Sequence, residues 1–94
     1  MILYINTYKV KPGMMEALVK ELNDSGVEEQ FRSIPGNVVF TYSVAVKDED
    51  TFYLVDLWED EASFQAHLQS DALKVWHSIK DKYFVDKKNI HYEF

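Results

Sequence analysis

The chain contains no cysteine. Disulfides, thiolate nucleophiles and cysteine metal sites are therefore excluded, and the composition suits a reducing compartment such as the cytoplasm. Glycine occurs only three times and proline twice. No glycine-rich loop exists to cradle a phosphate, so no nucleotide cofactor is expected. No apolar run approaches the length that crosses a membrane. The opening run Met1-Ile-Leu-Tyr-Ile-Asn6 lacks the basic start and extended apolar core of a secretory leader. Positive charge is scarce: 10 Lys and Arg against 16 Asp and Glu leave a net charge of -6. Without a basic stripe, such a chain is a poor binder of nucleic acid or of an anionic membrane. The three histidines show neither helical i, i+4 spacing nor an acidic partner, which argues against a zinc site. Repeats, linkers and low-complexity segments are absent.

What is present is apolar and aromatic. At 94 residues the chain is read as one domain spanning 1–94. Apolar residues make up 47% and aromatics 15%. That is more apolar surface than so small a monomer hides easily, so a dimer face is expected.

Ile2 to Val10 is β-branched and aromatic and reads as a strand. Asn6 is its odd residue, either a satisfied amide or a group pointing into a pocket. Lys11-Pro-Gly13 breaks the strand. Met14, Leu18 and Leu22 then recur on one helical face. Asn23 to Gly26 interrupts that pattern, and Val27, Phe31 and Ile34 resume it until Pro35-Gly36. Asn37 to Val46 is the second strand, with Val38, Phe40, Tyr42, Val44 and Val46 on one face. Lys47 to Asp50 is a polar turn, so Phe52 to Glu59 returns antiparallel. Phe52, Leu54, Asp56 and Trp58 share a face, and Asp56 is either edge-facing or hydrogen-bonded. Asp60 and Glu61 suit a helix start, Ser70-Asp71 a second one, and Leu73, Trp76, Ile79 and Tyr83 carry the stripe of the last helix. The tail from Phe84 to Phe94 alternates and reads as a fourth strand.

The order β-α-β-β-α-β is the split, ferredoxin-like arrangement of the α+β class, with one four-stranded antiparallel sheet and helices on one face. The strands are apolar on both faces. The face without helices therefore needs a partner, and two sheets packed face to face in a homodimer meet that need.

Three blocks carry a family resemblance: Lys11-Pro-Gly13, Ile34-Pro-Gly36, and above all Leu57-Trp-Glu-Asp-Glu-Ala-Ser-Phe-Gln-Ala-His-Leu-Gln-Ser70. On these the chain resembles the antibiotic biosynthesis monooxygenase family over almost its whole length. The resemblance implies a dimeric α/β barrel with a pocket between sheet and helices in each subunit. It implies no single chemistry. Some members oxidise phenols or quinols with oxygen and no cofactor, others bind and degrade haem, and others isomerise small oxygenated metabolites.

The haem-degrading branch uses a strand-one asparagine, a helical tryptophan and an iron-ligating histidine about ten residues later. Asn6 and His77 fall on the first and last of these positions, but His67 stands at the tryptophan position. That departure counts against haem breakdown, though not against haem binding through His77. His67 instead matches the histidine of the quinol-oxidising and isomerising relatives. The resemblance thus assigns His67 as the base and Asn6 as the polar clamp of a cofactor-independent oxidation. Tyr4, Trp58, Phe64 and Trp76 are expected to line the pocket. The substrate is expected to be a small aromatic or quinol-like molecule. An imidazole with an ordinary pKa near 6.5 suits a base at neutral pH. Haem on His77, or a non-catalytic or isomerising dimer, are the alternatives. Each residue also has a bland reading: His67 and Asn6 as satisfied buried groups, Trp58 as core, His77 as a partly exposed edge residue. His91 receives no role.

Overall fold

The computed structural model describes residues 1–94. The chain runs β1 (Ile2–Val10), α1 (Met15–Ser25), α2 (Val27–Arg32), β2 (Asn37–Val44), β3 (Thr51–Trp58), α3 (Glu61–Leu68), α4 (Asp71–Tyr83) and β4 (Phe84–Glu93). The strands form one sheet in the order β2-β3-β1-β4, with every pairing antiparallel. This is the expected ferredoxin-like topology. No helix is long and apolar enough to cross a membrane.

The helix interruptions have local causes. Gly26 takes φ 68°, joining α1 to α2 in a conformation that costs a side-chain-bearing residue strain. Asp60 caps α3 by accepting from the Ser63 amide, and Ser70 caps α4 by accepting from the Leu73 amide. Gly36 has φ 91°, and a Cβ there would meet the Ser63 side chain at 1.8 Å. This close approach seats the start of α3 against the turn leading into β2.

Strand two ends at Val44, short of the expected Val46. The Asp48 side chain organises the turn instead, accepting from the Asp50 amide and the Thr51 hydroxyl and pairing with Lys9 at 2.8 Å. Val46 is left fully exposed.

Register fixes what each sheet face carries. On the helix side, successive cross-strand rows are Phe40-Asp56-Tyr4-His91, Tyr42-Leu54-Asn6-Asn89 and Val44-Phe52-Tyr8-Lys87. In the β2–β3 half of these rows, Asp56 is the one charged residue, and Phe40, Tyr42, Phe52 and Leu54 pack with Leu18, Leu22, Val27, Phe31, Trp76 and Ile79 in the core. The β4 end is polar and open. On the opposite side the rows are Val39-Leu57-Leu3-Tyr92, Thr41-Val55-Ile5-Ile90 and Ser43-Tyr53-Thr7-Lys88. No helix covers them, and Ile90 and Tyr92 are 41% and 54% exposed.

Candidate functional site

A cavity of about 140 Å³ lies between the sheet and helices α3 and α4. An apolar cavity of about 150 Å³ is large enough to take up a benzene, so this space matches a single ring. Its floor comes from buried Phe31, Phe40, Leu54 and Trp76. Its polar groups are Asn6 and Asp56 from the sheet, His67 from α3, and His77, Lys80, Lys87 and Asn89 toward the open side.

His67 is 7% exposed and held on several sides. Its ring stacks on Trp58 with centroids 4.6 Å apart and meets Phe64 at 4.9 Å. Its Nδ1 lies 2.6 Å from the Phe64 carbonyl oxygen. A carbonyl can only accept, so Nδ1 carries the hydrogen and Nε2 of the neutral ring keeps its lone pair. Burial pushes the His67 pKa below its ordinary value of 6.5, against a smaller opposing effect of the carbonyl. The side chain is thus a neutral imidazole with an unengaged basic nitrogen at a cavity wall.

Asp56 is 4% exposed. The Trp58 indole N–H donates to its Oδ2 at 2.7 Å, and the Asn6 amide nitrogen lies 3.5 Å from its Oδ1, a long hydrogen bond. Burial raises its pKa to about 6, although the indole hydrogen bond favours the carboxylate. Asn6, 8% exposed, is thereby oriented by Asp56 with its amide on the cavity wall. Tyr8 also lines the space, and burial followed by the Asp56 charge raises its pKa to about 12. It is a neutral phenol at any physiological pH.

Tyr4, Asn6, Phe64, His67, Trp76 and His77 all border this one cavity. Trp58 does not border it. At 0% exposure it sits behind His67 and touches the site through that ring and through Asp56. Tyr4 is sandwiched between Phe64 at 4.9 Å and His91 at 5.0 Å. His91 thus closes one side of the aromatic wall, a placement visible only once β4 is paired with β1. Asp56, Lys80, Lys87 and Asn89 are the charged and amide wall residues that the sequence pattern did not bring together. The lone carboxylate on the apolar face of β3 was the one signal for Asp56.

No cluster of three His, Cys, Asp or Glu side chains is placed to hold a metal ion. His77 stands on the exposed side of the cavity, and its pKa is lowered by partial burial and then by the Lys80 charge. A haem does not fit the residues as they stand. Drug-sized ligands already need about 300–1,000 Å³, a haem is larger, and here the space is about 140 Å³.

The sequence model of the antibiotic biosynthesis monooxygenase family matches residues 1–78. The chain belongs to that family. β4 lies beyond the matched segment. The fold is shared with a Nitrosomonas europaea protein named as a candidate antibiotic biosynthesis monooxygenase. The two are 21% identical, with a TM-score of 0.88 covering 100% of this chain and 98% of that one. A Pseudomonas aeruginosa protein is 20% identical, with a TM-score of 0.85 over 99% of this chain and 92% of its own. A conserved Methanosarcina mazei protein is 16% identical, with a TM-score of 0.85 over 98% and 90%. At these identities the likeness is one of fold. No curated protein matches the sequence.

Proposed function

We propose that the protein is a cofactor-independent monooxygenase that oxidises a small phenolic or quinol-like ring with molecular oxygen. The observation that carries this reading is His67, a neutral imidazole whose Nδ1 is committed to a carbonyl and whose Nε2 is free beside a ring-sized cavity. Family membership supports the oxygen chemistry.

Triplet oxygen reacts slowly with neutral phenols and much faster with electron-rich phenolates. Nε2 of His67 takes the hydroxyl proton, acting as general base. The anion passes one electron to oxygen, and the resulting radical pair combines at a ring carbon that bears hydrogen, para to the oxyanion in a phenol and ortho to it in a hydroquinone. Loss of water from the peroxide leaves a quinone. In the balance, phenol and dioxygen become benzoquinone and water. One oxygen atom stays on the para carbon. The other leaves as water with two hydrogens, one from the hydroxyl and one from that carbon. The substrate supplies all the electrons, so no external reductant is required. The Asn6 amide holds an oxygen of the substrate or of the peroxide as a hydrogen-bond donor. Asp56 acts through Asn6 by orienting it. The aromatic walls hold the ring in place and exclude water.

The protein acts as a homodimer through the uncovered sheet face, where Leu3, Ile5, Val55, Leu57 and Ile90 meet their copies. That pairing leaves the cavity, on the opposite sheet face, free.

The test is oxygen uptake by metal-stripped protein across a panel of phenols and hydroquinones. The reading expects turnover with at least one member and a loss of about 10²–10⁴-fold in His67→Ala. Undiminished turnover in that variant removes His67 from the mechanism, and a flat oxygen trace across the panel removes the activity.

A further inference from the structure

The chain carries a net charge of -6, yet the charged side chains on the open side of its cavity are lysines. Lys80 comes from α4, one turn beyond His77 on the stripe that also carries Leu73. Lys87 and Asn89 come from β4, on the helix side of the sheet, in register with Tyr8 and Asn6. Lys9, Lys20, Arg32, Lys74 and Lys82 each pair with a carboxylate; of the lysines that form no salt bridge, Lys80 and Lys87 are the two that line this cavity. Two ammonium groups without a salt-bridge partner border one cavity mouth, and their mutual repulsion is a cost to the free protein that Asp81 offsets only in part. Burial, together with their mutual repulsion, holds the Lys80 pKa below its ordinary value. An anion seated between them relieves that cost.

We infer that the ligand of this cavity is an aromatic carboxylate, its ring in the cavity and its carboxylate held at the mouth by Lys80 and Lys87, with Asn89 and His77 beside it. This rests on the proposed use of the cavity for a phenolic ring and names that ring's substituent. Asp81 and Asp86 line the adjoining depression with Lys80 and Lys87 and offset part of the positive charge. Lysines are point charges without the fork geometry of arginine, so they fix the sign of the substituent more than its orientation. Against an acidic protein surface, the pair also favours the approach of an anion at the mouth.

The test is a matched pair of probes, hydroquinone and 2,5-dihydroxybenzoate, titrated without oxygen and followed by tryptophan fluorescence. Trp76 lines the cavity, so the probe reports occupancy. The wild type should bind the acid about tenfold or more tightly than the neutral ring, as expected for charge-assisted contacts. The preference should shrink with added salt and vanish in Lys80→Gln/Lys87→Gln, while Lys47→Gln, in the β2–β3 turn, keeps it. Equal binding of the two probes, no binding of the acid, or a preference that survives the double substitution overturns the inference. So does inorganic phosphate displacing the acid more strongly than benzoate does. Oxygen uptake is read separately. Binding of the acid through the lysines with a flat oxygen trace across the whole panel leaves this inference standing and removes the monooxygenase reading.

Discussion

The Trp58 indole N–H donates to the Asp56 carboxylate, two residues earlier on the same face of β3, at 2.7 Å. The face of the same indole ring supports His67 at 4.6 Å between centroids. One fully buried side chain therefore supports the imidazole and, against the larger effect of burial, favours the ionised form of the carboxylate. Asp56 in turn orients Asn6 from 3.5 Å. The catalytic candidates are joined through a core residue that never reaches the cavity.

The first consequence concerns pH. Burial raises Asp56 from an ordinary value of 3.8 to about 6, so the folded state holds its proton more tightly than the unfolded state. This contribution to stability is complete below pH 3.8 and is lost as pH rises through about 6. Ionised Asp56 then costs roughly 3 kcal/mol relative to a neutral group. Asp56→Asn keeps an acceptor for the indole and removes the titration. Thermal melts should show the variant more stable than wild type at pH 8, with the gain fading toward pH 4. A gain of equal size at both values contradicts the burial argument.

Trp58→Phe tests the same bond from the other side. The phenyl ring still stacks under His67, but Asp56 Oδ2 loses its donor in a buried place. Hydrogen bonds to charged groups contribute about 1.5–3 kcal/mol, so a loss of that order is expected at pH 8 from denaturant melts. The loss should be smaller at pH 5, where Asp56 is largely protonated. Equal losses at both pH values assign the effect to packing alone.

Tyr42 presents the opposite situation. Its hydroxyl is buried in the core with no hydrogen-bond partner, and burial raises its pKa. Removing an unsatisfied buried hydroxyl relieves a cost of about 1–3 kcal/mol. Tyr42→Phe should therefore melt at or above the wild-type temperature, with its ring still stacked on Trp76 at 5.9 Å. A clearly lower melting temperature means the hydroxyl has a partner in solution.

The uncovered sheet face carries the oligomer prediction. Ile5 and Val55 are cross-strand neighbours in the middle of its central row. Sedimentation of the wild type should give a dimer, and Ile5→Lys/Val55→Lys a folded monomer. A wild-type monomer at micromolar concentration refutes the pairing.

The elements and their order were legible because apolar alternation and helical stripes survive without any tertiary knowledge. Asp60 and Ser70 even marked their own helix starts. The chemistry was less visible. The tautomer of His67 depends on the Phe64 carbonyl, a backbone group no side-chain pattern announces. Asp56 was conspicuous as a carboxylate on an apolar face, but its link to Trp58 needs a particular rotamer. Lys80 and Lys87 face one cavity only because β4 folds back beside β1 directly after α4; in sequence they look like ordinary solvated charges. His91 finds Tyr4 through the same register.

The central claim is that His67 removes the proton from a phenolic hydroxyl in the cavity, and it can be observed without oxygen. 2,5-Dihydroxybenzoate and hydroquinone are mixed anaerobically with excess protein at pH 7, and the ultraviolet difference spectrum is read for phenolate. The account predicts a phenolate band for a bound probe, at a pH well below that probe's ionisation in free solution, and its disappearance in His67→Ala with binding retained. A bound probe that stays fully protonated on the wild type, or a phenolate band unchanged in the variant, contradicts it.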